Sequence, residues 1–363
     1  MRPRAYLDPM PVRGRIARPQ PKGLPLINMG FNELPYPPAP KVAEALALAA
    51  QRAQSYGSPH NDALRAALGA RNGLASDQII CGNGSEELLD VIARVFARPG
   101  DEILISEFGY IQFALTANRV GASLIKASEQ AFTSDIDALV AAVTERTRIL
   151  FLANPNNPTG TMVPLAELAR LARTLPPTVV LVLDLAYGEF APEGYCAQVH
   201  GLVAEHENVA VTRTFSKAYG LAGARVGWCH GPDWMIPLLY AARGMGTVNA
   251  LAQAAACAAL DEMDVVASRV REIVSERHRL AAALTTLGFT VLPSQANFLL
   301  ISPPDGTPET TEALVEHLFD TAGIIVNRTR EAGLERFLRF SLSRAAHNDL
   351  LLETVRAFLD GPP

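Results

Sequence analysis

An α/β fold with a largely parallel sheet, joined to a smaller α+β domain, is what this sequence predicts, and three observations predict it. Between residues 40 and 245, short runs rich in β-branched residues alternate with amphipathic helical stretches. Two of those runs, 149–153 and 179–183, are apolar throughout, as strands buried between two helical layers tend to be. From about residue 262 the alternation gives way to a long charged helix and shorter mixed elements. With 363 residues, 49% of them hydrophobic and 19% charged, the chain is long enough for about two domains.

Taken in order, strands are predicted at 78–81, 102–106, 123–127, 149–153, 179–184 and 209–214, with helices at 86–96, 136–143 and 165–175 among them. In the last helix Leu165, Leu168, Leu171 and Leu175 share one face, and Pro164 suits a first turn. The Ala-rich stretch 247–260 falls in a connecting helix (246–261); it is too short to cross a bilayer and contains Asn249 and Gln253. A long helix at 265–287 stops at Gly288, a natural C-cap. Strands at 289–292, 297–301, 323–327 and 337–341 and helices at 310–322 and 348–359 follow. The expected organisation is an N-terminal arm (1–28), a large domain (40–245) and a small domain drawn from both chain ends (29–39 and 262–363).

Composition narrows the function classes. Lys and Arg number 32 against 37 Asp and Glu, a net charge of −5, and no basic block argues for a nucleic-acid or anionic-membrane partner. Cys81, Cys196, Cys229 and Cys257 are far apart, which fits neither a disulfide framework nor a structural metal site and suits the reducing cytoplasm. The first 28 residues are basic but lack Ser, and Pro recurs in them, so they read as an extended arm on the fold or on a partner subunit rather than a transit peptide.

Four segments carry chemistry. Thr214-Phe-Ser216-Lys217-Ala-Tyr-Gly-Leu-Ala-Gly-Ala-Arg225-Val-Gly227 follows directly on the strand 209–214, so Lys217 lies where ligands bind in open α/β sheets. A desolvated lysine there can condense with an aldehyde cofactor, and Ser216 and Arg225 are donors suited to a phosphate. Cys81-Gly-Asn-Gly84-Ser85-Glu86-Glu87 runs from strand through glycines into a helix whose N-terminus attracts anions; its bland reading is capping, with Ser85 as N-cap. Asn154-Pro-Asn-Asn157-Pro158-Thr159-Gly160 is a stiff loop able to fix the Asn157 amide. Asp184 closes an apolar strand, three residues before Tyr187. A buried carboxylate needs a partner, which a pyridinium N–H would provide, although strand-end Asp is also a common cap.

The four segments in this order and spacing resemble the fold-type I pyridoxal-phosphate (PLP) enzymes, specifically the class I and II aminotransferases, from about Leu26 to Leu359. The opening Asn28-Met-Gly-Phe-Asn32-Glu33-Leu-Pro35-Tyr36 is similar to that of the histidinol-phosphate aminotransferase subfamily. The resemblance implies a large domain with a mostly parallel, mixed seven-stranded sheet flanked by helices, PLP as cofactor, and a homodimer with shared sites. It implies that Lys217 carries PLP and moves the substrate proton, that Asp184 keeps the pyridine nitrogen protonated, and that Asn157 and Tyr187 hydrogen-bond the ring oxygen. Phe108 would stack on the ring. Ser85, Glu86, Thr214, Ser216 and Arg225 would hold the phosphate, joined by Tyr56 from the second subunit. Arg339 would bind the substrate carboxylate, with Asn32, Tyr36 and Arg328 also on the substrate side. The expected reaction is ping-pong transfer of an amino group between an L-amino acid and a 2-oxo acid.

Three positions depart from the family pattern. Leu185 stands where Glu usually follows the aspartate, and Tyr56-Gly-Ser-Pro59 replaces the usual Tyr-Pro. Asn327 occupies a position where histidinol-phosphate enzymes tend to carry Arg. Arg328 or Arg330 could supply that charge only after a register slip, which on a strand reverses the face. Competing expectations are an aminotransferase for aromatic or other non-phosphorylated amino acids and a decarboxylase similar to threonine-phosphate decarboxylase. A PLP-binding regulatory domain fused to a DNA-binding module is excluded by the short Pro-rich start, which has no room for a helix-turn-helix.

Overall fold

A computed structural model of the protein describes residues 21, 23–329 and 331–361. The body of the expected arm (1–20, with residue 22) and Arg330 lie outside the described residues. The last two residues of the expected arm, Ile27–Asn28 (β1), form a strand. In chain order there follow Ile79–Gly82 (β2), Glu102–Ser106 (β3), Ser123–Ala127 (β4), the hairpin Glu129–Gln130 (β5) and Thr133–Ser134 (β6), Thr147–Ala153 (β7), Val180–Asp184 (β8), Val209–Thr214 (β9) and Gly227–His230 (β10). Seven of these form one sheet in the order β2-β10-β9-β8-β7-β3-β4, in which β10 alone is antiparallel to its neighbours.

Burial on both faces explains the unbroken apolar runs. In β7, Ile149 and Phe151 enter the core on one side of the sheet while Leu150 and Leu152 enter the core on the other. Phe151 stacks on Phe113 at 5.0 Å between centroids, a contact whose loss to Ala would cost about 3–5 kcal/mol. The helix Leu165–Thr174 covers one face with Leu168 and Leu171, and Ser85–Phe96 covers the other with Leu88 and Ile92. Because β3, β7, β8 and β9 run parallel, their C-terminal ends share one edge. Successive strands are added on opposite sides of the β3–β7 junction, the crevice where such sheets bind ligands.

The C-terminal part holds Thr290–Val291 (β11), Phe298–Ser302 (β12), Ile324–Ile325 (β13), Asn327–Arg328 (β14) and Leu338–Ser341 (β15). An antiparallel sheet β11-β12-β15-β14 packs against the helices Met263–Thr286, Pro308–Ala322 and Ala345–Asp360. The single strand expected at 323–327 is two: β13 pairs in parallel with β1, whereas β14 joins β15. The chain ends thus meet, with Met29 N donating to Ile325 O at 2.8 Å and Ser341 N to Met29 O at 2.6 Å. Two further expectations shift. The first strand begins after a 3₁₀ turn at Ser76–Gln78, and β10 was not foreseen, being four residues long and set behind a Gly-rich turn. Among the described residues no helix is long and apolar enough to cross a membrane.

Candidate active site

The strand ends converge on a cleft of about 470 Å³ lined by Ser85, Glu86, Tyr110, Asn157, Asp184, Tyr187, Thr214, Ser216, Lys217 and Arg225, with Ala153 and Ala186. Lys217 lies three residues beyond β9, in a turn closed by Phe215 N to Val226 O (2.9 Å) and Gly220 N to Lys217 O (2.9 Å). Its Nζ donates to Phe31 O at 3.2 Å. Burial lowers the amine to a pKa of about 8, helped by the Arg339 guanidinium and opposed by Glu86 and Glu33. That leaves a usable neutral fraction of a group that is otherwise fully protonated.

Asp184, the last residue of β8, is 2% exposed and accepts from Thr212 Oγ1 at 2.9 Å. Burial raises its pKa to about 7 against the pull of that hydrogen bond. A buried carboxylate hydrogen-bonded only by neutral donors is one whose charge a cationic N–H would balance. Tyr187 is pushed up to about 12 by burial, and its hydroxyl accepts from Asn32 Nδ2 at 2.9 Å. Asn32 sits at φ +56, fixed by Asn32 N to Ser341 Oγ at 2.7 Å.

Of the three asparagines after β7, only Asn157 lines the cleft. Asn154 is spent on Val163, accepting its N–H at 2.7 Å and donating to its carbonyl at 2.9 Å. Asn156 donates to Phe108 O and Thr159 Oγ1, each at 3.0 Å. Arg339, 8% exposed on β15, donates from Nη1 to Asn157 Oδ1 and from Nη2 to Gly30 O at 2.9 Å. Its guanidinium lies 5.3 Å from the Phe298 ring centroid, and burial lowers its pKa.

At the opposite end Arg225 adopts φ +58 and donates to Ser216 Oγ at 3.3 Å and to Glu86 Oε2 at 3.2 Å. The helix start is built around close backbone approach. The N-cap is Gly84 at φ +82, not Ser85, which is already inside the first turn. A Cβ at Gly84 would meet Arg225 Nη2 at 2.5 Å, and one at Gly227 would meet Ser85 N at 2.2 Å. Glycine at both positions leaves the first amides of the helix facing the Arg225 and Ser216 donors, an anion cradle.

The geometry corrects several expected site residues. Phe108 does not line the cleft: its ring packs on Phe132, 5.7 Å between centroids, and the aromatics that do line it are Tyr187 and, two residues past Phe108, Tyr110. Tyr110 caps the helix Ile111–Val120 and donates to Glu86 Oε1 at 2.6 Å; its place just past a glycine at the end of β3 was the missed signal. Tyr36 lies outside the cleft, with the guanidinia of Arg269 and Arg344 at 5.2 and 5.5 Å from its ring. Arg328 points away: its Nε meets Glu312 at 3.1 Å and its Nη1 donates to Phe337 O at 3.0 Å. In the β14–β15 register Asn327 is opposite Arg339, so Asn327, not Arg328, shares its face. Tyr56, expected to serve the second subunit's site rather than this one, is fully exposed and does not line this chain's own cleft, which that expectation allows. Among the described residues no group of three or more His, Cys, Asp or Glu side chains is placed to hold a metal ion.

A poised lysine, a buried carboxylate bonded only by neutral donors and an anion cradle in one cleft define a lysine-anchored, PLP-dependent enzyme on an α/β sheet. The family description "Aminotransferase class I and II" matches residues 25–359. A histidinol-phosphate aminotransferase of Granulibacter bethesdensis is 38% identical over 93% of this chain and 90% of its own. One of Erythrobacter litoralis is 41% identical over 92% and 91%. The crystal structure of histidinol-phosphate aminotransferase from Sinorhizobium meliloti in complex with pyridoxal-5'-phosphate superposes with a TM-score of 0.85, at 32% identity and 91% coverage of both chains. The chain belongs to the class I and II aminotransferases, and its cofactor is PLP.

Proposed function

We propose that this aminotransferase works on an L-amino acid of the histidinol-phosphate kind and a 2-oxo acid, in a ping-pong cycle and as a cytoplasmic homodimer. The observation that carries the reading is the Arg339–Asn157 contact, which ties a buried guanidinium to Asn157, a residue of the cleft that Lys217 also lines. When bound, PLP supplies an aldehyde that accepts the amino group and a ring that withdraws electrons. Lys217 would anchor it and would carry the proton at the substrate carbon. Asp184 would keep the ring nitrogen protonated, Asn157 and Tyr187 would donate to the ring oxygen, and Tyr110, which lines the same cleft, would lie on the ring side. Backbone N–H groups of Ser85 and Glu86, with Thr214, Ser216 and Arg225, would hold the phosphate. Arg339 takes the anionic group of the substrate as a two-pronged donor. Tyr56 reaches the phosphate of the partner subunit's site, a role its full exposure permits.

Asn327 favours a second reading. With an amide beside Arg339 and Arg328 committed to Glu312, a phosphorylated substrate meets one guanidinium rather than two among the described residues of this strand pair. The non-phosphorylated amino acid is then the alternative. Half-reactions with histidinol phosphate, histidine, phenylalanine and tyrosine, followed by the absorbance of the bound cofactor, decide between them. Conversion of histidinol phosphate at the lowest concentration supports the first reading, and preference for a free amino acid the second. Release of CO₂ would sink both.

A further inference from the structure

The hairpin β5–β6 is joined by a loop of two residues, Ala131 and Phe132, at φ +48 and +62. Such loops need left-handed backbone to follow the strand twist and normally use Asn and Gly. A bulky residue at positive φ is an outlier, and an outlier held in place beside a site points to a use for its side chain. Here the benzyl group lies between the two domains. The Phe132 ring is 5.7 Å from that of Phe108 in the large domain and 5.2 Å, edge-on, from that of Phe337 in the small one.

Phe132 is tied to both halves of the Asn157–Arg339 contact. Thr161 Oγ1 donates to Phe132 O at 2.6 Å and lies 2.8 Å from Thr159 Oγ1, which accepts from Asn156 Nδ2 at 3.0 Å. Each hydroxyl has one proton, so the chain runs in one direction, from the neighbour of Asn157 to the Phe132 carbonyl. On the other side Phe337 is fully buried and immediately precedes β15, two residues before Arg339. Phe132 therefore backs the Asn157 loop with its main chain and the Arg339 strand with its ring.

We propose that Phe132 is a positioning residue for substrate-carboxylate binding, a wedge behind the Asn157–Arg339 contact that fixes the distance between Arg339 and Lys217. The inference rests on Arg339 as the carboxylate anchor, and the test separates the two. Phe132→Asn suits positive φ better than Phe does, so it keeps the turn and removes the ring. The Phe132→Asn holoenzyme should retain bound PLP with an unchanged absorbance spectrum. Its KM for L-glutamate and its calorimetric Kd for glutarate should rise about tenfold with kcat within about threefold, and Phe132→Tyr should restore both constants. Phe337→Leu, probing the wedge from the small domain, should shift the same constants in the same direction if the Asn variant folds poorly. Arg339→Lys is the control. If it leaves glutarate binding unchanged, the anchor reading fails; if it weakens binding while folded Phe132→Asn and Phe337→Leu do not, the wedge alone is overturned.

Discussion

The two walls of the cleft are held in place by different means. Lys217, Asp184 and Asn157 stand at or just beyond the ends of three adjacent parallel strands, so one hydrogen-bonded ladder sets their spacing. Arg339 arrives on a separate sheet and is fixed by side-chain bonds to Asn157 and to Gly30, near the other end of the chain. The first wall is rigid because the backbone makes it so. The second is adjustable because a few side chains make it so, and that is where substrate choice can change without disturbing the cofactor.

The largest expected effect sharpens the division. Lys217→Ala should lower kcat by about 10,000-fold or more, and borohydride, which should trap the cofactor on Lys217 in the native protein, should label nothing at that position. A variant that still transaminates would overturn the assignment. On the opposite wall Arg339→Met should leave PLP bound and its spectrum intact while kcat/KM for a carboxylate substrate drops about 100-fold, mostly through KM. Loss of PLP from that variant would break the comparison.

A pH profile tests the electrostatics of the rigid wall. Burial lowers Lys217 to a pKa of about 8, so its reactive neutral form grows as pH rises through that value. Capture of added PLP by the apoenzyme should climb about tenfold per pH unit below the pKa and level off above it; a flat profile between pH 6 and 9 would contradict the burial. The smallest effect is expected for Arg328→Ala. With its guanidinium facing Glu312 and the Phe337 carbonyl, its loss should lower the unfolding midpoint by the equivalent of about 1–2 kcal/mol. In the same variant kcat/KM should change by no more than about threefold. A large loss confined to phosphorylated substrates would return Arg328 to the site.

The same division explains what could be read from the chain. Lys217, Asp184 and Asn157 are legible because a run such as Val180–Asp184 announces a buried strand, and the residue that ends it must stand at the sheet edge. Three-dimensional neighbours that depend on a turn or a register are not legible. Phe108 and Tyr110 are two residues apart and both aromatic, and only the path of the turn after β3 decides which ring enters the cleft. Asn327 and Arg328 differ by one step along a strand, and only the pairing with β15 decides which shares the face of Arg339. β10 is hidden for another reason: four residues after a Gly-rich turn carry too little periodicity to declare a strand, although their antiparallel pairing joins β2 to β9.

The bonds from Asn32 N to Ser341 Oγ and from Arg339 Nη2 to Gly30 O each join residues 309 positions apart. Loop closure over such a span is slow to begin and impossible before the distal partner exists. A ribosome will have delivered every residue of the seven-stranded sheet and of the PLP cradle before it delivers Arg339. Nascent chains of this protein therefore pass through a stage in which the whole cofactor wall has been made and the substrate wall has not. A message truncated just before the codon for Leu338 would encode that stage permanently, a chain with the residues proposed to hold PLP and without the guanidinium proposed to receive the substrate.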